Sequence, residues 1–260
     1  MQSLERAFDI LEIIAQRPEG VSFSKIAAAS GLPEGTVGRL LAALDNLGAV
    51  ERLTTAKGYR IGNKLVALSS GVSFERQLKV MARPYLLELA DATQETVNLG
   101  LYAGRQALYI DQVDSTYDLR TKDYTSLRYP LHVVSTGKVF LAYFSEAQLG
   151  DYLATPLVAY TDRTLTEPDA LREQLSRGRS KSYIEAVGEA EEGLSTYAAP
   201  IFTQSKTGDK VVGAISVSAP TFRVTEARKE RIVSVLKQCC QNLSSLLRRS
   251  PLHAHTNLIP

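Results

Sequence analysis

The sequence predicts an α+β protein that consists of two domains. Its 260 residues exceed the length of a typical single domain and are enough to build two hydrophobic cores. Up to about residue 93, apolar residues recur mostly at helical spacing, with one short β-hairpin pattern among them. Beyond that point, short apolar segments separated by glycine-containing turns are typical of strands. The change divides a small, mostly helical N-terminal domain from a larger domain of strands and helices.

The composition narrows the class of protein. A hydrophobic fraction of 44% and a charged fraction of 22% are ordinary for a soluble globular chain. The formal net charge is only +2, so any surface for nucleic acid must be local. Cys239 and Cys240 are adjacent and point in different directions on a helix, which disfavours a disulfide framework and favours the cytoplasm. With neither a membrane-length apolar run nor a signal-peptide pattern, we expect a cytoplasmic protein without a membrane partner.

Two helices and a hairpin make up the most distinctive N-terminal pattern. A short helix is predicted over residues 23–30, Gly31 suits a tight turn, and Pro33 suits the first position of the next helix. Two extended segments follow, at 49–53 and 58–61, and predict a β-hairpin. This order of elements is that of a winged helix-turn-helix, a DNA-binding motif. An ordinary helical hairpin with solvent-facing charges remains the alternative at this point.

The second helix of the pair would enter the major groove by its N-terminal end. Val37 belongs to the apolar stripe of this helix, whereas Thr36 and Arg39 lie off the stripe and are free to face DNA. Gly35 and Gly38 would let the backbone approach the DNA closely. The candidate DNA contacts include a serine of the preceding helix and two basic residues of the hairpin, and they are Ser24, Gly35, Thr36, Gly38, Arg39, Lys57 and Arg60.

The remaining elements follow from periodicity. A helical pattern over residues 63–82 predicts a linker helix, and Pro84 predicts the start of another helix that ends at Thr93. Thr225 is expected to cap a closing helix whose buried face includes Cys239. The predicted strands are VNLGLYAG, QALYIDQVD, YDLRTKDY, RYPLHVV, STYAAPIF and KVVGAISVSAP, and the other predicted helices span 135–143, 146–154 and 168–179.

The C-terminal half carries no catalytic pattern of its own. None of its histidines has a nucleophile partner, and no metal-ligand spacing occurs, so we expect neither an enzyme nor a cofactor; His132 is expected to be structural. Ser135 and Thr136 begin a predicted helix, whose free N–H groups favour an anionic group. Ser216 and Ser218 lie two residues apart and share one face of a strand. These hydroxyls would line a small-molecule pocket or, alternatively, make only local hydrogen bonds.

The chain resembles the IclR family of bacterial transcriptional regulators from Ser3 to about Leu247. The resemblance to the family's DNA-binding domain is carried by SLERAFDILEIIA, SFSKIAAASGLPEGTVGRLLAALDNLGAVER and GYRIGNKLVALS. The resemblance to its effector-binding domain is carried by MARPYLLELADATQETVNLGLYAG, LHVVSTGKVFLAYF, EEGLSTYAAPIF and VVGAISVSAP. Several motifs in the family's order make this resemblance specific.

The resemblance implies an N-terminal winged helix-turn-helix domain at 1–66, a linker helix at 67–83, a GAF-like α/β effector-binding domain at 84–249 and a tail at 250–260. It further implies a homodimer or homotetramer that binds double-stranded DNA at a palindromic operator. We therefore expect a ligand-responsive regulator, a repressor of a catabolic operon that a small organic acid or aromatic effector relieves. An activator, or a DNA-binding regulator without a ligand, is the alternative.

The resemblance also implies which residues meet the effector. Positions that match Ser135, Thr136, Ser216 and Ser218 line the pocket of similar family members and often bind a carboxylate. Thr196 stands where many relatives have a cysteine, and Ala186 stands where many have an aspartate. The predicted effector-binding residues are Ser135, Thr136, Thr196, Ser216 and Ser218, on a floor whose polar groups differ from those of many relatives.

Overall fold

A computed structural model describes residues 2–53, 58–70, 74–205 and 208–249 of the chain. These residues form two compact units, and the second begins at Phe74. The helices are α1 (Gln2–Ala15), α2 (Phe23–Ser30), α3 (Glu34–Asn46), α4 (Asn63–Ser70), α5 (Phe74–Thr93), α6 (Ser135–Ala142), α7 (Glu146–Leu153), α8 (Pro168–Lys181) and α9 (Glu226–Arg249). The strands are β1 (Val21–Ser22), β2 (Val50–Arg52), β3 (Gly58–Ile61), β4 (Thr96–Ala103), β5 (Gln106–Val113), β6 (Arg128–Pro130), β7 (Ile184–Val187), β8 (Leu194–Ser205) and β9 (Gly208–Pro220).

The first unit packs α1, α2 and α3 against a small antiparallel sheet of order β1-β3-β2. Gly31 ends α2 at a φ of 65°, and Gly48 follows α3 at a φ of 69°, a region that favours glycine. Pro33 precedes α3 as its cap instead of occupying the first helical position as predicted. The helix pair and the following hairpin agree with the sequence prediction. The core residues come from all three helices and both longer strands, and include Ile10, Ile14, Ile26, Val37, Leu41, Leu44 and Val50.

The second unit is built on a six-stranded antiparallel sheet of order β6-β5-β4-β9-β8-β7. Side chains of successive strand residues alternate between its two faces. One face is apolar and packs against α5 and α9, with Leu99, Tyr197 and Val217 among its buried residues. The other face packs against α6 and α8 and carries small and polar residues near the centre of the sheet.

Four sequence predictions for this unit need correction. Pro84 lies inside α5 instead of opening a helix, because α5 already begins at Phe74 and buries a continuous face on the sheet. Residues 117–119 form a bend and residues 120–124 have no regular secondary structure, instead of the predicted strand, and β6 is limited to three residues. Cys240, and not Cys239, is the fully buried cysteine of α9. Strand β7 escaped prediction because four residues are too few for a clear alternation.

Thr225 caps α9 as predicted, since its hydroxyl accepts a hydrogen bond from the Arg228 backbone N–H at 3.3 Å. Within the described residues, none of the helices combines the length and apolar character needed to cross a bilayer.

Candidate functional sites

The N-terminal turns of α3 leave the predicted DNA-contacting residues accessible. Val37 is buried in the core of the unit, whereas Gly35 and Arg39 are exposed and Thr36 is partly exposed. Thr36 and Arg39 therefore lie off the buried stripe, as their spacing predicted. Ser24 on α2 is also exposed, and its Oγ lies 3.2 Å from the Ser22 Oγ.

The two glycines of α3 are not required by the packing of this unit. A Cβ at Gly35 would meet no atom within 4 Å. A Cβ at Gly38 would lie 3.9 Å from the Phe23 ring, which is an ordinary van der Waals distance. Because alanine would fit at both positions and favour the helix, the unit's own fold does not account for the glycines.

Arg60 on the hairpin already has a carboxylate partner. Its Nη2 and Nε lie 2.9 Å and 3.0 Å from Glu51 Oε2, across the β2–β3 pair. The same carboxylate accepts a hydrogen bond from the Asn63 backbone N–H at 3.3 Å, and the Arg60 hydrogen bond holds the Glu51 pKa below its usual value. Sequence reasoning missed this competition for Arg60. Lys57, the other predicted hairpin contact, lies outside the described residues.

Three of the predicted effector residues lie on one face of the six-stranded sheet. Ser218 of β9 pairs with Thr196 of β8 on one side and with Thr96 of β4 on the other, while Ser216 pairs with Asn98 of β4. Directly paired residues share a face, so these side chains form a polar patch. We call Thr96, Asn98, Thr196, Ser216 and Ser218 the polar floor.

Helix α6 brings the remaining two predicted residues, Ser135 and Thr136, to the same face. A Cβ at Gly100 of β4 would lie only 2.5 Å from Thr136 Cγ2, so the absence of a side chain there lets α6 approach the strand. Gly100 is two residues beyond Asn98 and therefore shares its face. The beginning of α6 thus lies beside the polar floor.

Several buried oxygens at this place lack a protein hydrogen-bond partner among the described residues. They are Ser135 Oγ and Thr136 Oγ1 on α6 and Asn98 Oδ1 on the floor. The Asn98 amide Nδ2 donates to Ser218 Oγ at 3.4 Å. The Thr196 hydroxyl instead donates to the Ala186 backbone oxygen at 3.3 Å. Buried polar groups are nearly always paired, so unpaired ones indicate a place where water or a ligand binds.

The loop between β7 and β8 extends over this face and is anchored first by a buried ion pair. Lys138 Nζ of α6 lies 2.5 Å from Glu189 Oε2, and both side chains are almost completely buried. Lys138 also donates to Gln174 Oε1 of α8 at 2.6 Å. Burial lowers the pKa of the Lys138 amine, while the adjacent carboxylate acts in the opposite direction. The Lys138 amine is therefore engaged in holding the loop.

A second anchor of the loop is made by Glu191. Its Oε1 accepts hydrogen bonds from the hydroxyls of Tyr124 at 3.1 Å and Tyr129 at 3.5 Å, and it lies 2.6 Å from Lys122 Nζ. The two tyrosine rings stack edge to face with each other, 5.9 Å apart, and contact Tyr109. Burial raises the pKa of Tyr109 to about 12, so its hydroxyl stays protonated. These tyrosines were not predicted as site residues, because no sequence spacing unites them.

His132 is held inside the unit by protein partners. Its Nδ1 lies 2.9 Å from the Tyr152 hydroxyl, and its Nε2 lies 3.0 Å from the Val158 backbone oxygen. This geometry agrees with the structural role expected for it, and burial lowers its pKa.

Other features of the second unit lie away from the polar floor. Two surface grooves, of about 570 Å³ and 430 Å³, run along α9, and their linings include none of the five predicted effector residues. Over the described ranges, no cluster of three or more His, Cys, Asp or Glu side chains is arranged to hold a metal ion.

Known protein families match nearly the whole chain. Residues 3–54 match the sequence profile of the IclR helix-turn-helix domain, and residues 71–245 match that of the bacterial transcriptional regulator IclR C-terminal domain. The chain is 33% identical to the transcriptional repressor IclR of Escherichia coli over 88% of its own length and 83% of the relative's. It is also 33% identical to the regulator BhcR of Paracoccus denitrificans, over 94% and 86% of the two chains.

Solved structures agree with these matches. The IclR protein of Thermotoga maritima superimposes with a TM-score of 0.63 at 29% identity, covering 95% of this chain and 99% of that one. An IclR homologue of Microbacterium hydrocarbonoxydans, solved with 4-hydroxybenzoate, has the same fold, with a TM-score of 0.62 at 24% identity over 95% of this chain and 100% of that one. The winged helix-turn-helix, the C-terminal sheet and these similarities together assign the chain to the IclR family of DNA-binding transcriptional regulators.

Proposed function

We propose that this regulator represses an operon and releases its operator when a small organic effector binds to the C-terminal unit. The observation that supports effector binding is the group of buried oxygens without a hydrogen-bond partner among the described residues, at the start of α6 and on the polar floor. The relatives named for repression, such as the acetate operon repressor of Salmonella typhimurium at 31% identity over 88% of this chain and 83% of the relative, support the repressor half. We infer no enzymatic activity and no cofactor, and action in the cytoplasm, where the operator is.

DNA binding would use the exposed residues of the first unit. Thr36 and Arg39 of α3 would enter the major groove, where an arginine pairs with a guanine edge or a phosphate. Gly35 and Gly38 would allow the helix backbone to lie close to the DNA, and Ser24 would contact a phosphate. Arg60 would have to exchange its Glu51 partner for a phosphate.

Self-association would provide the second half-site contact. Leu4 and Phe8 of α1 are 66% and 58% exposed, and large apolar side chains on one helix face favour contact with another protein surface. A second copy of the chain is the partner that a palindromic operator requires. We propose a dimer or a dimer of dimers, with a DNA-binding domain at 1–66, a linker at 67–83 and an effector-binding domain at 84–249.

The effector would bind between α6 and the polar floor. The first turn of α6 offers backbone N–H groups together with the hydroxyls of Ser135 and Thr136, a combination that favours a carboxylate. Ser216, Ser218 and Thr196 would contact the rest of the ligand. The homologue solved with 4-hydroxybenzoate supports an aromatic or small organic acid. Only a ligand that prefers one of two arrangements of the protein can change its affinity for DNA.

A titration of operator DNA tests this function. The full-length protein is added to a fluorescent duplex taken from the region upstream of its gene, with and without single carboxylic and aromatic acids, and anisotropy is recorded. A decrease in DNA affinity caused by one acid supports a ligand-relieved repressor. An increase supports an activator or a corepressor, and retention of DNA binding with no response to any acid supports a regulator without a ligand.

A further inference from the structure

We propose that Asn98 recognises a hydrogen-bond donor on the effector, so that the effector is a hydroxylated organic acid and not a plain carboxylic acid. The inference rests on the proposed function, since it concerns the same site. Asn98 lies in VNLGLYAG, and its position there carries no sequence signal for a role in ligand choice.

The position of Asn98 is fixed by strand pairing. Asn98 lies opposite Ser216 in the β4–β9 register and is only 1% exposed. Its Nδ2 is directed to Ser218 Oγ, and its Oδ1 is buried without a hydrogen-bond partner among the described residues. With the amide oriented so that Nδ2 meets Ser218 Oγ, the oxygen Oδ1 is the atom left over, and because an amide oxygen only accepts hydrogen bonds, its partner must be a donor. A ligand that supplies this donor removes the penalty of the unpaired oxygen.

The second recognition element, the start of α6, lies over Gly100, two residues further along the same strand. Gly100 follows Asn98 on the same face and is covered by Thr136, with Ser135 next to it. The hydroxyls of Ser135 and Thr136 are buried and have no hydrogen-bond partner within the part of the chain that the structure describes, and they adjoin the first backbone N–H groups of α6. A group that accepts several hydrogen bonds, such as a carboxylate, fits there. The site therefore has two subsites along the face of β4. One, beside the start of α6, suits an anion, and the other, at Asn98, suits a hydrogen-bond donor.

The charges around the site favour a hydroxyl as the donor over an ammonium group. The two carboxylates Glu189 and Glu191 of the loop over this face are already engaged, Glu189 with Lys138 and Glu191 with Lys122. Position 186, which faces Thr196 across β7 and β8, is a buried alanine. A buried ammonium group requires a carboxylate partner, whereas a hydroxyl requires only a neutral acceptor such as the Asn98 oxygen.

Matched pairs of acids test the inference on the full-length protein. The probes are glycolate and acetate, lactate and propionate, and 4-hydroxybenzoate and benzoate, and binding is measured by calorimetry and by the shift in Tm. We expect the hydroxylated member of at least one pair to bind about tenfold or more tightly, since its partner leaves the buried acceptor unpaired. In Asn98→Leu the two members of that pair should bind equally.

Two further variants keep the test decisive. Asn98→Asp retains an acceptor, so it should preserve the hydroxyl preference while weakening both acids through charge repulsion. Asn242→Leu changes an exposed asparagine of α9 and should leave binding as in the wild type. Equal binding of both members by the wild type, or a preference that survives Asn98→Leu, would overturn the role of Asn98 alone. If no acid binds or alters operator affinity, the effector half of the proposed function fails with it.

Discussion

Lys138 and Glu189 form an ion pair inside the C-terminal unit, with Nζ and Oε2 2.5 Å apart and neither side chain appreciably exposed. The pair connects α6, whose first residues adjoin the polar floor, to the loop that covers the same face. Gln174 of α8 donates to the Glu185 backbone oxygen at 3.1 Å as well as bonding Lys138, so three elements meet at this point. The stability of this unit and the placement of α6 are therefore coupled.

Removal of one partner of this pair should be costly. We expect Lys138→Met to lower the free energy of unfolding by about 3–5 kcal/mol, because Glu189 is left buried without its cation. The double variant Lys138→Met/Glu189→Gln should recover part of this loss. Urea denaturation measures both, with Arg177→Ala, which breaks the exposed Arg177–Glu173 pair, as a nearly neutral control. Equal losses in the single and double variants would contradict the coupling.

His132 predicts how stability depends on pH. Because burial lowers its pKa in the folded state, the unfolded chain binds a proton at a higher pH than the folded chain does. The free energy of unfolding should therefore fall as the pH decreases below about 6.5, the ordinary value of histidine. Tm recorded from pH 7.5 to pH 5 should fall less steeply for His132→Gln than for the wild type. Parallel curves would remove His132 as the cause.

Arg39 should contribute directly to operator affinity. We expect Arg39→Ala to weaken operator binding by about 1–3 kcal/mol while effector affinity stays unchanged. The variant Arg177→Ala removes an exposed arginine from α8 and controls for the general loss of positive charge. Anisotropy titrations at a fixed salt concentration give both affinities. Operator affinity equal to that of the wild type would exclude Arg39 from the interface.

Replacing the glycines of α3 by alanine should change stability and operator affinity in opposite directions. Gly35→Ala and Gly38→Ala should each stabilise the helix by about 0.5–1 kcal/mol, because both positions have room for a methyl group. If the backbone approaches the operator closely at these positions, the same variants should bind it more weakly. Thermal unfolding and DNA titration of each variant measure the two effects. Stabilised variants with full operator affinity would show that the glycines play no part at the interface.

Ser216 should be required for the effector response and not for DNA binding. We expect Ser216→Leu to bind the operator normally and to ignore the acid that releases the wild-type protein, because the larger side chain fills the polar floor beside Asn98. The reporter is operator anisotropy over a titration of that acid. Release at the wild-type concentration would place the effector site elsewhere.

The sequence predicted whatever depends on local spacing. Val37 faces the core and Arg39 faces solvent because helical periodicity separates them, and Ser216 and Ser218 share a face because strand periodicity is two. Contacts between distant segments could not be predicted in this way. Asn98 becomes a site residue only when the β4–β9 register places it opposite Ser216, and Arg60 loses its availability only when β3 pairs with β2 beside Glu51.

The predicted helix boundary at Pro84 was wrong for a related reason, since it too depends on contacts between distant segments. Pro84 is a reliable break in an isolated helix, yet α5 runs through it, because packing against the sheet stabilises the helix on both sides of the proline. The tyrosines around Glu191 come from the β5–β6 region and meet a loop more than sixty residues later. Such convergence is a property of strand order, which spacing along the chain does not reveal.

The contact between Glu191 and Tyr129 also joins the two ends of the strand order. β6 and β7 are the outermost of six strands, so a flat sheet would hold them about 24 Å apart at the usual strand spacing of about 4.8 Å. Yet the loop that leaves β7 brings its carboxylate to within 3.5 Å of a β6 hydroxyl. The loop that leaves β7 therefore reaches across the face of the sheet to the opposite edge strand, where the Glu191 carboxylate meets Tyr129. Glu191→Asp, shorter by one methylene, should lengthen or break these hydrogen bonds and loosen the far end of the loop.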